Sequence, residues 1–330
     1  MTILVTGGAG YIGSHMVRAL RDAGEAVVIL DNLSTGFRPS VPGDVPLFIG
    51  ETGDESLVSA IIAAHDVREI IHFAASIVVP DSVADPLGYY KNNTANARSL
   101  IEAAVKGGVK HFIFSSTAAV YGTPRQIPVT EDAPLNPESP YGTSKLMTEI
   151  ILRDACHAYP MTHAILRYFN VAGADPQGRV GQSTPNATHL IKVAVQAAVG
   201  LRQGLAVFGT DYATPDGTCL RDYIHVSDLV AAHSSALAHL RAGGSSGTFN
   251  CGYGRGYSVK EVVETVKRVS GVDFPVTVSG RRAGDAEAVV ANNARIVATL
   301  GWQPRYDDLD LIVTHALAWE KKLLTRNDAG

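Results

Sequence analysis

Cysteine is nearly missing from this chain. Cys156, Cys219 and Cys251 are the three in 330 residues, widely spaced and without a CxxC pair. Neither a disulfide framework nor a structural zinc site organises such a protein, and reduced thiols are expected. Long apolar runs are missing too: none reaches the ~18–20 residues that cross a bilayer. Strand-type residues begin directly after Met1, which leaves no room for a basic leader. The expectation is a cytoplasmic protein with no membrane partner. No block of Lys or Arg occurs, and 28 basic against 32 acidic residues leave a net charge of −4, so nucleic acid is not an expected partner. The eleven histidines are dispersed and no HExxH spacing is found, so no metal site is expected.

What is present is a foldable chain. With 46% hydrophobic and 18% charged residues it can bury a sizeable core, and its length exceeds the usual single domain of about 100–200 residues, so two associated units are expected. Short β-branched and aliphatic runs alternate with segments of helical period, the pattern of an α/β, doubly wound, Rossmann-like parallel sheet. Strands are expected at Ile3–Thr6, Ala26–Leu30, Pro46–Ile49, Glu69–Phe73, His111–Ser115 and Ala164–Phe169. Helices are expected at Tyr11–Ala23, Glu55–Ala64, Leu87–Val105 and Tyr141–His157. Beyond Asn170, Gly, Pro, Asp and Gln cluster from Gly173 to Pro185 and from Gly209 to Gly217. Further helices are readable at Ala187–Val199, Asp228–Leu240, Val259–Val269 and Leu309–Leu324. The division expected is residues 1–170 for a nucleotide-binding unit and 171–330 for a smaller mixed α/β substrate unit, with part of 218–250 able to return to the first sheet.

Thr6-Gly7-Gly8-Ala9-Gly10-Tyr11-Ile12-Gly13 follows the first strand and opens the first helix. Alone, GxGxxG is weak. In this setting glycines allow the tight turn and close backbone approach, and the helix N-terminus offers free N–H groups to a pyrophosphate. Asp31 follows the second strand, about 20 residues beyond the glycines, where a carboxylate accepts from an adenosine ribose 2′-hydroxyl. That favours NAD, although nearby Arg38 leaves NADP open and Asp31-Asn32 is also a turn-forming pair. Asp54 either contacts adenine or caps the following helix.

Tyr141-Gly142-Thr143-Ser144-Lys145 sets a phenol and an amine four apart, on one face of a helix that Pro140 helps to start. A phenol ionises near ~10, and neighbouring ammonium and nicotinamide charges would favour its phenolate. Tyr141 is therefore a candidate proton shuttle. Thr117, at the end of Phe114-Ser115-Ser116-Thr117, can hydrogen-bond an alcohol or the ketone made from it. Hydride transfer at an alcohol carbon needs no more than these groups and a nicotinamide.

In its motifs the chain resembles the extended short-chain dehydrogenase/reductases, and among them it is similar to the UDP-glucose 4-epimerases. The resemblance rests on TGGAGYIGSH from Thr6, DNLSTG from Asp31, HFAA from His72, YYKNN from Tyr89, FSSTAAVYG from Phe114, SPYGTSKL from Ser139, RYFNVAGA from Arg167, DGTCLRDYIHVSDL from Asp216 and the RRAGD segment at Arg281. It implies NAD, held by Gly7, Gly10, Tyr11, Ile12, Gly13, Asp31, Asn32, Asp54, Phe73, Ala74, Asn93, Lys145 and Tyr168. It implies a UDP-sugar, met by Thr117, Tyr141, Asn170, His189, Leu190, Arg221, Arg282, Asp285 and Val289. The chemistry implied is removal of hydride from C4, rotation of a 4-keto sugar, and hydride return to the opposite face, with Tyr141, Lys145 and Thr117 catalytic. A homodimer is also implied, through the Leu87–Val105 and Tyr141–His157 helices.

Some positions depart from the family. Many relatives carry a Lys shortly after HFA, whereas this chain reads Ser76-Ile77-Val78-Val79, which removes a positive contact and implies looser cofactor retention. Thr117 and His189 stand where relatives often have Ser or Asn. Four residues beyond Asp285, where a bulky Tyr excludes N-acetylated sugars in related enzymes, this chain has Val289. Other readings remain: 4-epimerases of UDP-N-acetylglucosamine, UDP-xylose or UDP-glucuronate, and a non-catalytic NAD-binding regulator. A 4,6-dehydratase would need an acid/base pair beside Thr117, where Ala118 and Ala119 stand.

Overall fold

The structure, a computed structural model, describes residues 1–184, 187–282 and 285–327. Pro185, the end of one predicted loop cluster, and Ala283 and Gly284 of the RRAGD segment lie outside the described residues.

Six strands, β1 (Thr2–Thr6), β2 (Ala26–Asp31), β3 (Leu47–Ile49), β4 (Val67–His72), β5 (His111–Thr117) and β6 (Thr162–Tyr168), form a wholly parallel sheet with a seventh, Gly247–Cys251. Their order is β3-β2-β1-β4-β5-β6 and then Gly247–Cys251 at the edge. The order reverses between β1 and β4, and in open sheets of this type ligands bind beyond the strand carboxyl ends at that switch point.

Why the sheet is covered on both faces is written in its strands. Ile3, Val5, Val27, Ile29, Ile71 and Ile113 point into one core with Met16, Val17 and Leu20 of the Tyr11–Asp22 helix and Leu229, Ala236 and Leu237 of the Val226–Arg241 helix. The intervening Leu4, Val28, Leu30, Ile70, Phe112 and Phe114 point the other way, against Val58, Ile61, Leu100, Ile101 and Leu152. Alternation of side chains along a strand sends successive apolar residues to opposite faces, so near-continuous apolar runs need helices on each. Each such side chain, fully buried, contributes about 1.5–3 kcal/mol. The first core continues through Val262, Trp302, Ile312 and Leu317.

After β6 the chain builds a smaller sheet in which Leu220–His225 is flanked by Gly256–Ser258, Asn170–Ala172 and Ala288–Val289. A parallel pair, Leu205–Phe208 with Val276–Ser279, stands beside it.

The predicted single helix Leu87–Val105 is broken. Pro86–Tyr89 is helical, Tyr90–Ala95 widens into a π-type turn, and Asn96–Lys106 resumes the α-helix. A widened turn re-aims its side chains. Here Asn93 accepts the N–H of Ser76 at 2.8 Å and donates to Ser76 O at 2.9 Å and Ser144 Oγ at 3.0 Å. Periodicity of apolar residues does not report that pull.

Candidate active site

Gly7 has φ of +70° and donates its N–H to Leu30 O. A Cβ there would lie 2.7 Å from Ala74 N, so the loop runs hard against the segment leaving β4. Gly13 is tighter still, since its Cβ would meet Gly7 O at 2.1 Å. The helix opening at Tyr11 has Gly10 as N-cap, with no side-chain cap and no acidic residue in its first turn. Its first N–H groups have no partner within the helix, and its first turn carries no acidic side chain. Tyr11 reaches from this turn to Gly173 O at 2.7 Å, and Ile12 packs into the core.

Asp31 is buried and accepts from Ala9 N at 2.9 Å and Leu33 N at 2.8 Å. It holds the glycine loop and the turn after β2 together, so the turn-forming role is real, at the site where a ribose would meet it. Asn32 donates to Glu51 Oε1 at 3.0 Å and accepts from Ser34. Asp54 caps the Glu55–His65 helix by accepting Leu57 N at 3.0 Å. Phe73 N bonds Thr6 O, and its ring lies 4.9 Å from that of His233.

At the carboxyl end of β5, consecutive residues are each tied to a neighbour. Lys145 Nζ donates to Ser115 O at 2.9 Å, and the Tyr168 hydroxyl makes a short bond to Ser115 Oγ. Thr117 accepts Ala119 N at 3.1 Å and stands beside the Tyr141 phenol, whose ionised form it favours. The helix carrying Tyr141 and Lys145 runs Pro140–Ala158, with Ser139 capping Gly142 N at 3.2 Å. Phenol, hydroxyl and amine therefore converge beside the glycine loop's strand neighbours.

Electrostatics set their proton states. Burial raises the Tyr141 phenol above its ordinary value, and the hydrogen bond from Thr117 offsets part of that. Burial lowers the Lys145 amine to about 7, with Glu149 pulling it back up. His72, the next titratable group, is pushed down to about 3 by burial and then by Lys145, so it stays neutral. Once ionised, the Tyr141 phenolate, one turn from an amine poised near neutrality, can take a proton from a bound alcohol and return it.

Of the residues expected around the nucleotide sugar, Asn170, Arg221 and Val289 lie on the smaller sheet. Arg221 lies 3.7 Å from Asp285, and Val289 sits opposite Arg221 in parallel register. Asn170 pairs with Tyr223, on the same strand as Arg221. Arg282 lies over the Phe208 ring at 4.2 Å. His189, ahead of the Leu190–Ala198 helix, is 3.0 Å from Gln182, and burial lowers its pKa. Val289 also packs on the small cluster of Ala118, Val120, Tyr121 and Val129, together with Leu146 and Phe169. It thereby stands between the neighbours of Thr117 and Lys145 on one side and Arg221 on the other.

Three residues were not singled out from the sequence. Glu149 and Arg167 form a buried pair behind Lys145; an acidic residue continuing the Tyr141, Lys145 spacing was the available signal. Phe208, under Arg282, carried none.

The model of the NAD dependent epimerase/dehydratase family matches residues 3–252. A UDP-glucose 4-epimerase of Azospirillum brasilense is 58% identical over 97% of this chain and 92% of its own length. The structure of the Bifidobacterium longum UDP-glucose 4-epimerase in complex with NAD+ and UDP superposes with a TM-score of 0.92, at 37% identity and 98% coverage of both chains. The UDP-Glc/GlcNAc 4-epimerase of Campylobacter jejuni gives a TM-score of 0.85 at 49% identity, covering 97% of this chain and 99% of that one.

Proposed function

Because this chain belongs to the NAD-dependent epimerase/dehydratase family, we propose that it inverts the C4 hydroxyl of a UDP-hexose, interconverting UDP-glucose and UDP-galactose. The observation that carries this reading is the Tyr141 phenol, with Thr117 beside it, one helical turn from the buried Lys145 amine that is tied to Ser115 O at the end of β5. NAD, when bound, supplies the reversible hydride acceptor that inversion at a carbinol carbon requires. The residues fit it: an uncapped helix start behind Gly7, Gly10 and Gly13, and Asp31 at the end of β2. Asn32, Asp54, Phe73, Ala74, Asn93 and Tyr168 complete that side of the site.

Tyr141, as the phenolate, accepts the O4 proton as the carbonyl forms, becoming the phenol, and returns that proton once the 4-keto sugar has turned its other face. Thr117 hydrogen-bonds the same oxygen in both states. Lys145, partly charged at neutral pH because its pKa is about 7, favours the phenolate across one helical turn. Arg221 and Arg282 meet the diphosphate, for which a planar guanidinium is suited, and Asp285 orients Arg221. Asn170, His189 and Leu190 line the nucleotide side.

The test is a panel of UDP-sugars scored for C4 inversion by the purified protein without added NAD. UDP-galactose should yield UDP-glucose. Bound cofactor without product would favour an NAD-binding regulator, and preference for UDP-xylose or UDP-glucuronate would move the substrate class. Val289 makes the panel sharper. Its small side chain leaves room at the sugar, as the Campylobacter jejuni relative's use of both sugar types makes relevant, so UDP-N-acetylglucosamine should be accepted. Val289→Tyr should lower its turnover about tenfold or more, since overpacking costs about 1–3 kcal/mol, and spare UDP-galactose. Equal turnover by both proteins would remove Val289 as the gate.

The working unit we propose is a homodimer. Val83, Leu87, Met147 and Ile150 remain exposed on helices that pack against one another, Val79–Ala84, Pro86–Tyr89 and Pro140–Ala158. Adjoining exposed apolar groups of this size mark interaction surfaces. Light scattering should give twice the mass of the 34.9 kDa chain; a monomer mass would overturn the pairing.

A further inference from the structure

Behind the phenol and the amine lies a buried charged pair that takes no direct part in proton or hydride transfer. Glu149 follows Lys145 by one turn on the Pro140–Ala158 helix and is wholly buried. Its Oε1 accepts from Ser116 Oγ at 2.5 Å and Arg167 Nε at 2.9 Å, and its Oε2 from Arg167 Nη2 at 2.6 Å. Arg167, on β6, is fixed in turn by the Tyr121 hydroxyl at 3.0 Å and Glu131 O at 3.3 Å. Tyr121 continues to Asn250 Oδ1 at 2.7 Å, on the edge strand.

Apolar residues of similar volume generally stabilise a core as well as a buried ion pair does. Holding the fold is therefore a weak reason for a charge at this depth. Its location is specific: Ser116 lies between Ser115, which receives Lys145, and Thr117, which receives Tyr141. Tyr141, Lys145 and Glu149, spaced by four, thus meet Thr117, Ser115 and Ser116, three consecutive residues of β5.

We propose that Glu149 is a positioning residue for epimerisation: clamped by Arg167 and Ser116, its carboxylate registers the Pro140–Ala158 helix on the end of β5 and sets a negative charge one helical turn from the Lys145 amine. The inference rests on the epimerase reading. The surroundings of Lys145 leave Glu149 this part. β4 presents His72, held neutral; β5 presents Ser115 O and the Phe114 ring at 5.0 Å; β6 presents Tyr168, whose phenol burial holds protonated. Tyr141 shares the helix, and Tyr89 faces Tyr141 from the Pro86–Tyr89 helix. Glu149 is the carboxylate that acts on Lys145.

A negative charge beside an amine raises its pKa, so removing that charge lets the proton leave at lower pH. Glu149→Gln should move the alkaline limb of kcat down by about one pH unit, and the titration of the Lys145 side chain, followed by NMR of labelled lysine, should move with it. Glu149→Asp keeps the charge and should keep the limb while lowering kcat. Should Glu149→Gln fail to fold with Arg167 unpaired, Glu149→Gln/Arg167→Met leaves no lone buried charge and should show the same downward shift. If wild-type protein inverts a UDP-sugar and neither limb nor resonance moves in the folded variants, the proposal is overturned. A shifted Lys145 titration in a protein that inverts no UDP-sugar would instead sink the epimerase reading and leave the effect of Glu149 on Lys145 standing.

Discussion

Tyr141→Phe lowers the turnover of UDP-galactose by about 10²- to 10⁴-fold, the range that general acid–base groups supply, while bound NAD and affinity for UDP stay near wild type. At about 1.4 kcal/mol per decade this is roughly 3–5 kcal/mol of transition-state stabilisation. The ring itself is not at issue. Tyr141 is half-buried at the first turn of its helix, and Phe fills the same space. What is lost is the hydroxyl that meets Thr117, and with it the group able to exchange a proton with O4. An interaction made only as the proton moves should appear in kcat rather than in KM. Steady-state kinetics with cofactor quantified in the same preparation decide it. Equal losses of UDP binding and turnover would make Tyr141 a structural element of the pocket and remove the proton shuttle.

Gly13→Ala abolishes cofactor retention. The added methyl would lie 2.1 Å from Gly7 O, 2.8 Å from Gly7 C and 2.9 Å from Gly8 Cα, all backbone atoms of the loop itself. Relief requires the loop to open or the helix start to withdraw, and either one spoils the row of N–H groups facing the pyrophosphate. Protein prepared in this form should release no NAD on denaturation and show no activity without added cofactor. Its thermal midpoint should also fall, because a ligand held at about 1,000 times its Kd stabilises the folded state by about 4 kcal/mol. Gly43→Ala is the control: a Cβ there meets nothing within 4 Å, and NAD content should be unchanged. A Gly13→Ala protein that copurifies with a full complement of NAD would show that this loop does not cradle the cofactor.

Both predictions come from stretches that local sequence made readable. The glycine loop lies in one strand–turn–helix, and Tyr141 and Lys145 lie in one helix, so their spatial relation follows from 3.6 residues per turn. The alternation of the sheet was readable for the same reason: Leu4 and Leu30 face one core, Ile3 and Ile29 the other, a consequence of period two along each strand. The break at Tyr90–Ala95 was not readable, because its cause, Asn93 reaching Ser76 and Ser144, lies in partners 17 and 51 residues away.

By itself, then, the sequence determined what near neighbours decide: the doubly wound pattern, the glycine turn, the carboxylate of Asp31 at the end of β2, and a phenol and amine sharing one helix face. Only the tertiary structure decided which distant groups meet. Gly247–Cys251 extends the sheet beside β6, Val289 comes opposite Arg221, and Glu149 finds Arg167. The strands involved are as short as two residues, Ala288–Val289, too short to show a period, and a charged residue carries no local mark of the partner it will be buried against. Those pairings follow from how the packed sheet and helices fill space and satisfy their polar groups, which is a property of the whole chain.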